Sequence, residues 1–248
     1  MTTLRVFRWS EPAGERVDTF DVATGLETTV LDALVETQRT QDSTLAFRYA
    51  CRVGMCGSCA MVVNGRERWA CRTRLAQLDA ETVTVRPLYH FPLIRDLVVD
   101  MTPFRDRMAA VGGVLTPAAD AQDYAIVGRD SRERREIDEA IECIGCGMCV
   151  SVCTLAADDA RFPGPAALNR AFTLQLDHRD DAHAARWSVL LGSDALGQFR
   201  RQMAVRQGDQ PFGVALEQLA GGPLISFAPA GHQIDRPVVP HRMHLLKA

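Results

Sequence analysis

The feature that most constrains this chain is the run Cys51-Arg-Val-Gly-Met-Cys56-Gly-Ser-Cys59, which is completed by a more distant cysteine at position 71. Gaps of four and then two residues, with a remote fourth ligand, are the spacing of plant-type [2Fe–2S] sites. Soft thiolate ligands suit iron–sulfide cores. Gly54 and Gly57 lie between the ligands, where a missing side chain lets backbone N–H groups approach the sulfur atoms. The pattern therefore predicts a [2Fe–2S] cluster held by Cys51, Cys56, Cys59 and Cys71.

A structural zinc site is the main alternative use of four cysteines. Four-cysteine zinc sites usually contain two Cys-x-x-Cys pairs, whereas the first gap here is four residues long. Disulfides need an oxidising compartment. The N-terminal stretch from Met1 to Ser10 alternates like a strand and lacks the apolar core of a signal peptide. We therefore expect metal ligation in a reducing, cytoplasmic setting.

A second motif, Cys143-Ile-Gly-Cys146-Gly-Met-Cys149-Val-Ser-Val-Cys153, contains the other four of the eight cysteines. Its gaps of two, two and three residues are those of bacterial-type ferredoxins, in which the first three cysteines bind one cubane and the fourth serves another cluster. We predict a second cluster on Cys143, Cys146 and Cys149. The role of Cys153 stays open, because a helix through Cys149 and Cys153 would aim the latter away from the cubane.

Both motifs lie in segments that resemble the iron–sulfur subunits of succinate dehydrogenase and fumarate reductase. The resemblance extends from the N-terminus to about residue 190, and the remaining tail departs from it. One segment, 92–104, is similar to the junction between the two domains of that family. The segments that carry the resemblance are, in chain order, Cys51–Cys71 with the hairpin Ala60–Gly65, then Pro92–Phe104, Ile137–Cys143, Gly164–Leu168 and Asp177–Asp180.

The resemblance also implies which ligands this chain lacks. In the family, a [4Fe–4S] cluster takes the first three cysteines of the second motif and a distant one, and a [3Fe–4S] cluster takes the fourth and two more distant ones. Residues 197–211 stand in the place of those distant ligands and contain no cysteine. We therefore predict two clusters rather than three. The second is a [4Fe–4S] cluster completed by Cys153 or by a non-cysteine ligand, or a [3Fe–4S] core on three cysteines.

The residues after Cys153 differ from the family as well. There the fourth cysteine precedes a proline, a serine and tryptophans that line a quinone site, whereas here Thr154-Leu-Ala-Ala-Asp158 follows. We hypothesise that this subunit does not reduce membrane quinone in the usual way.

The fold class that we predict is α+β, in two domains. Patterns of apolar residues predict strands at 3–9, 16–22, 61–63 and 82–86, and Asn64-Gly65 predicts a hairpin turn. Leu31, Leu34 and Val35 share one helical face and predict a helix at 29–39. The resemblance identifies residues 1–102 as a β-grasp [2Fe–2S] ferredoxin domain. It identifies residues 103–248 as an all-α helical ferredoxin-like domain with a divergent tail, and helices are predicted at 131–142, 165–177, 181–191, 194–206 and 213–220.

The resemblance implies an electron-transfer subunit that is not itself catalytic. Iron–sulfur clusters pass single electrons and cannot remove hydride from carbon, and no Gly-x-Gly-x-x-Gly follows a strand, so FAD is expected in a partner subunit. No stretch of about eighteen apolar residues is present, so we expect no membrane span and, at most, attachment to the inner membrane face through an acceptor or anchor protein. A net charge of -3 argues against nucleic-acid partners. The alternatives are a free-standing two-cluster ferredoxin or redox sensor, and a structural zinc protein.

Two arginines and two histidines are also candidates for a role in a site. Arg52 and Arg72 each follow a cluster cysteine and either tune its charge environment or remain solvated. His178 and His183 are expected on the surface rather than as ligands.

Overall fold

The N-terminal part of the chain forms a five-stranded mixed sheet in the order β2-β1-β5-β3-β4. The computed structural model describes residues 1–117, 128–159 and 161–192. β1 pairs antiparallel with β2 and parallel with β5, which in turn pairs antiparallel with β3. A mixed sheet of this kind, packed against one helix, confirms the β-grasp fold expected for the N-terminal part. The strands are β1 (Thr2–Ser10), β2 (Gly14–Val22), β3 (Ala60–Val63), β4 (Arg66–Trp69) and β5 (Thr82–Arg86).

The local signals of the sequence explain these elements. Asn64 and Gly65 both have positive φ values, 48° and 73°, as a two-residue hairpin turn between β3 and β4 requires. α1 (Val30–Thr40) begins at Thr29, whose side chain accepts a hydrogen bond from the N–H of Asp32. The Asp32 carboxylate accepts one from the N–H of Thr29 in return, which completes a capping box.

The second half of the described chain consists mainly of helices and short turns. A two-stranded hairpin, β6 (Leu93–Arg95) and β7 (Val98–Val99), precedes them. The helices predicted at 165–177 and 181–191 are confirmed, and those predicted at 194–206 and 213–220 lie outside the described residues, as does the segment 197–211. None of the helices in the described ranges is both long and apolar enough to cross a membrane. The helices are α2 (Thr102–Ala110), α3 (Arg132–Ile137), α4 (Met148–Ser151), α5 (Thr154–Asp158), α6 (Pro165–Gln175) and α7 (His183–Gly192).

The single helix predicted over 131–142 is wrong in its second half. α3 ends at Ile137, and a 3-10 turn at Ala140–Glu142 leads to Cys143, whose backbone is extended. The carbonyl of Ala140 accepts a hydrogen bond from the side chain of Asn169 at 2.7 Å. The second cysteine motif therefore begins in extended backbone, next to a contact from α6, a helix distant in the chain.

Two of the hydrophobic cores in the described residues contact the cysteine motifs. The first core joins α1 to the sheet through residues such as Leu34 and Val83, and it includes Cys59 and Cys71. The second core is built around Phe91 and Phe104, and Cys149 and Cys153 pack against it. Each cysteine motif is therefore anchored in one core.

A buried arginine joins the sheet to the segment that leads into the first motif. Arg8 is 1% exposed and forms ion pairs with Asp18 at 2.9 Å, with Asp96 at 3.0 Å and with Asp42. Asp96 also accepts the backbone N–H of Ala46 at 2.8 Å. The β6–β7 turn and the start of the cysteine loop are thus held on β1 by one charge cluster.

Candidate metal-cluster site

The first cysteine loop is wound around the sulfur atom of Cys51. The backbone N–H groups of Met55 and Cys56 lie 3.3 Å from this Sγ, and that of Val53 lies 3.5 Å from it. The winding needs left-handed backbone at Gly54, with φ 80°, and at Arg52, two residues before it, with φ 62°. N–H groups aimed at one sulfur supply hydrogen bonds of the kind that surround the ligands of iron–sulfur clusters.

The other two cysteines of this motif are fixed by the β3–β4 hairpin. Cys59 immediately precedes β3, and Cys71 lies in a short 3-10 turn that immediately follows β4. The N–H of Ala70 donates to the carbonyl of Cys59 at 3.1 Å, which closes the base of the hairpin. Because the hairpin doubles the chain back, these two cysteines become neighbours although eleven residues separate them.

The pair Cys51 and Cys56 and the pair Cys59 and Cys71 lie in different electrostatic environments. Hydrogen bonds from the N–H of Cys51 and from Ser58 lower the pKa of Cys56 to about 6. Burial raises the pKa of Cys59 to about 11, and the neighbouring Cys71 adds to this effect. A buried thiol of this kind becomes a thiolate only beside positive charge, which bound iron supplies. The donor set and the loop therefore fit a multi-iron cluster with one exposed, one partly exposed and two buried ligands.

Arg52 and Arg72 both contact other parts of the structure. Arg52 donates to Asp32 at 2.8 Å, so the capping box of α1 also holds the cysteine loop. The side chain of Arg72 lies against Gly54, where an added Cβ would come within 2.7 Å of the Arg72 Cγ. Both arginines brace the loop, which the sequence did not reveal.

The second motif is a tight loop that leads into α4. Gly145 and Gly147 have φ values of 67° and 82°. A Cβ on Gly147 would lie 3.1 Å from the side chains of Met101 and Phe91, so this loop sits closely on the second core. Only glycine meets both requirements at position 147.

Three cysteines of the second motif interact with one another. Burial raises the pKa of Cys149, and the neighbouring thiols of Cys146 and Cys143 raise it further. The N–H of Ala166, in the first turn of α6, acts in the opposite direction and lowers this pKa. N–H groups in a first turn have no partner within their own helix, so they are free to bind a thiolate.

Cys153 does not continue the helix that contains Cys149. α4 ends at Ser151, and Cys153 is extended, with φ −83° and ψ 113°, as the N-cap of α5. The geometric reason for aiming Cys153 away from the other three, a helix running through both residues, is therefore wrong. Whether Cys153 is a ligand stays a prediction, as does the ligand role of the other seven cysteines.

The two motifs meet in space. A cavity of about 250 Å³ is lined by residues of both loops and by two arginines, Arg48 and Arg105. On another side, the hydroxyl of Ser151 donates to Glu67 of β4 at 2.7 Å and accepts the N–H of Tyr89 at 2.9 Å. Neither contact has a signal in the sequence, because each joins residues far apart in the chain.

Other candidate ligands do not gather into a site in the described part of the chain. No group of three or more His, Cys, Asp or Glu side chains there is arranged to hold a single metal ion. His183 lies 3.1 Å from the carbonyl of Asp177 and 3.7 Å from the carboxylate of Asp180.

Known iron–sulfur proteins are similar to most of this chain. Residues 3–106 match the family of 2Fe-2S iron-sulfur cluster binding domains. The mitochondrial succinate dehydrogenase [ubiquinone] iron-sulfur subunit of Candida glabrata is 32% identical over 205 residues, which cover 79% of this chain and 79% of that protein. The fumarate reductase iron-sulfur subunit of Mycobacterium tuberculosis is 36% identical over 179 residues, 71% of each chain.

Two further relatives extend this likeness. The succinate dehydrogenase iron-sulfur subunit of Paracoccus denitrificans is 36% identical over 192 residues, 75% of this chain and 72% of that protein. A chain of the Mycobacterium smegmatis Sdh1 complex in the apo form superposes with a TM-score of 0.70 at 31% identity, over 79% of this chain and 82% of that one.

Proposed function

The chain belongs to the family of succinate dehydrogenase and fumarate reductase iron–sulfur subunits, and from this premise we propose how its residues serve an electron relay. It is the non-catalytic, electron-transfer subunit of an oxidoreductase complex, and its partner is a flavoprotein. When bound, the clusters supply one-electron carriers between the partner's FAD and a further acceptor or donor.

The first cluster, [2Fe–2S], belongs to the N-terminal domain, residues 1–102. The observation that carries this proposal is the set of three backbone N–H groups that surround the Cys51 sulfur within 3.5 Å. They supply hydrogen bonds to a thiolate that bears cluster charge. The ligands are Cys51, Cys56, Cys59 and Cys71.

The second cluster belongs to the helical ferredoxin-like domain that begins at residue 103. Cys143, Cys146 and Cys149 hold it, and the mutual effects of their thiols on the Cys149 pKa support this grouping. We propose a [4Fe–4S] cluster with Cys153 as the candidate fourth ligand, because Cys153 packs against the same core as Cys149. A [3Fe–4S] core on the first three cysteines is the alternative.

The flavoprotein partner docks at the first cysteine loop. Apolar side chains surround this loop and remain exposed, Met55 at 73%, Val53 at 57% and Tyr49 at 44%. Exposed apolar groups of this size next to a redox site favour a protein partner. Burial under the flavoprotein would also shorten the electron path from FAD to the first cluster.

Anaerobic purification of the intact complex tests the function. We expect a stoichiometric flavin-containing polypeptide, labile sulfide, and EPR signals from two clusters and not three. A brown monomer without a flavoprotein would support the free-standing ferredoxin instead. A colourless protein without sulfide would contradict both and would favour zinc.

The acceptor is tested separately. The residues after Cys153 form α5, Thr154–Asp158, and contain no tryptophan or proline. We propose an acceptor other than membrane quinone. Reduction of a short-chain quinone by the isolated two-protein complex, at a rate matching that of its dicarboxylate half-reaction, would contradict this.

A further inference from the structure

Gly57 of the first cysteine loop touches Cys146 of the second. A Cβ built on Gly57 would lie 2.6 Å from the Cβ of Cys146, 3.0 Å from its Cα and 3.4 Å from its backbone nitrogen. Cβ atoms essentially never lie closer than 3.0 Å to such neighbours. No change of rotamer moves a Cβ or a backbone atom, so the loops stay this close only with glycine at position 57.

Gly57 and Gly54 are required for different reasons. Both have positive φ values, 71° and 80°. The atoms that an added Cβ would meet at Gly54 belong to the flexible side chain of Arg72, within the first motif and its own domain. At Gly57 they belong to the other motif. The sequence assigned both glycines to the approach of backbone to sulfur, and the structure adds a contact between motifs at Gly57 alone.

A second contact also links the two motifs. We call it the clamp, and it is the hydrogen bond between Ser151 and Glu67. Ser151 of the second motif donates to Glu67 at 2.7 Å, and β4, which contains Glu67, leads directly to Cys71. Ser151 is buried, and its oxygen also accepts the N–H of Tyr89. The clamp limits the separation of the motifs, and the absent side chain of Gly57 allows their contact.

We propose that Gly57 is a positioning residue for electron transfer between the two clusters. Because position 57 bears no side chain, the loop with Cys56 and the loop with Cys146 touch, and this contact sets the distance between the clusters. The transfer moves one electron, oxidises one cluster as the other is reduced, and makes or breaks no bond. The inference rests on the proposed function, since it requires both clusters.

The test compares Gly57→Ala with Gly14→Ala in the full-length chain, purified anaerobically with its flavoprotein partner. Gly14 is the first residue of β2, has a similar φ of 74° and would place an added Cβ in open space, so it reproduces the backbone strain away from both motifs. EPR of the fully reduced protein measures the magnetic interaction between the two clusters, as signal splitting and enhanced spin relaxation. We expect the wild type and Gly14→Ala to show the interaction. Gly57→Ala should show a loss of splitting, or an altered second-cluster signal although the substitution lies in the first motif.

Several outcomes separate this inference from the function on which it rests. A wild-type protein without a second cluster overturns the proposed function. Two intact clusters whose interaction is the same in Gly57→Ala as in the wild type, or is lost equally in Gly14→Ala, overturn the inference alone.

A second pair of variants tests the inference if Gly57→Ala does not assemble its clusters. Glu67→Ala removes the clamp outside both cysteine loops, and Arg66→Ala is its neighbour on the same strand, with an exposed side chain. We expect a weaker interaction between the clusters in Glu67→Ala than in Arg66→Ala. Equal interaction in the two variants would overturn the inference.

Discussion

Ser58 contributes to the electrostatic environment of one candidate ligand, Cys56. The N–H of Cys51 does most to lower the pKa of the Cys56 thiol, and the side chain and N–H of Ser58 lower it further. A donor to a cluster ligand stabilises the more negative, reduced state. Its effect therefore belongs to the reduction potential more than to folding.

Ser58→Ala should lower the reduction potential of the first cluster. A differential hydrogen-bond energy of about 1 kcal/mol corresponds to about 40 mV for a one-electron couple. Redox titration followed by EPR measures it, with Ser43→Ala on the exposed surface of the same domain as the control. An unchanged midpoint in Ser58→Ala would show that this hydroxyl does not act on the cluster.

Hydrogen bonds also lower the pKa of Asp180, a residue with a structural role. Its carboxylate is fully buried and binds Arg186 at 2.7 and 3.2 Å and the N–H of Thr116 at 2.8 Å. Burial alone would raise the pKa of Asp180, but these hydrogen bonds outweigh it and the pKa is lowered. The group therefore stabilises the fold while it is ionised.

Asp180→Asn should destabilise the protein by about 3–5 kcal/mol at pH 7, because it leaves the Arg186 charge buried and unpaired. A lowered folded pKa means that the contribution is complete above the ordinary value of about 3.8 and is lost as the pH falls below it. The difference in melting temperature between the wild type and Asp180→Asn should thus stay constant from pH 8 to 5 and begin to narrow near pH 4. Asp138→Asn, at the exposed pair with Arg134, should cost at most about 0.5 kcal/mol.

Whole elements were predictable where their signals are local. The β3–β4 hairpin follows from Asn64-Gly65 after an apolar strand, and α1 follows from Leu31, Leu34 and Val35 on one helical face. The helix predicted over 131–142 ends at Ile137, and the carbonyl of Ala140 beyond it accepts a hydrogen bond from Asn169 of α6. This contact joins two elements, and no single window of sequence contains both partners.

Thr29→Ala should destabilise the protein by about 1 kcal/mol, because the first turn of α1 loses its capping acceptor. Thermal unfolding monitored by far-UV circular dichroism measures this. Thr40→Ala, at the other end of α1, removes a hydroxyl that donates only to the carbonyl of Glu36, and it should be close to neutral. Equal effects of the two substitutions would mean that the capping box does not stabilise α1.

At the scale of the whole molecule, the sequence predicted which cysteines belong to which motif but not how the motifs meet. Spacing along the chain identifies ligand sets because each cluster binds a mostly local loop. The contact of Gly57 with Cys146, the clamp from Ser151 to Glu67 and the charge cluster of Arg8 depend on the tertiary fold. Each joins segments that are separated in sequence, so single-sequence patterns have no access to them.

Met55→Glu should weaken binding of the flavoprotein at least tenfold, because it places a charge at the centre of the proposed docking face and would remove about 1.4 kcal/mol or more of binding free energy. Val17→Glu, at another exposed apolar residue on β2, is the control. Binding of the separately purified flavoprotein is measured by titration, and the cluster absorbance verifies that the loop is intact. Undiminished binding in Met55→Glu would place the partner elsewhere.

The unequal exposure of the first four cysteines has a consequence for how the protein matures. Cys59 and Cys71 are set by the hairpin and its core, whereas Cys56 is open to solvent and Cys51 partly so. A carrier that delivers iron and sulfide can reach the site only from the side of the exposed loop. A flavoprotein docked on that same side would block the carrier, so the cluster has to be inserted before the flavoprotein binds. The exposure of the loop therefore determines the order of assembly.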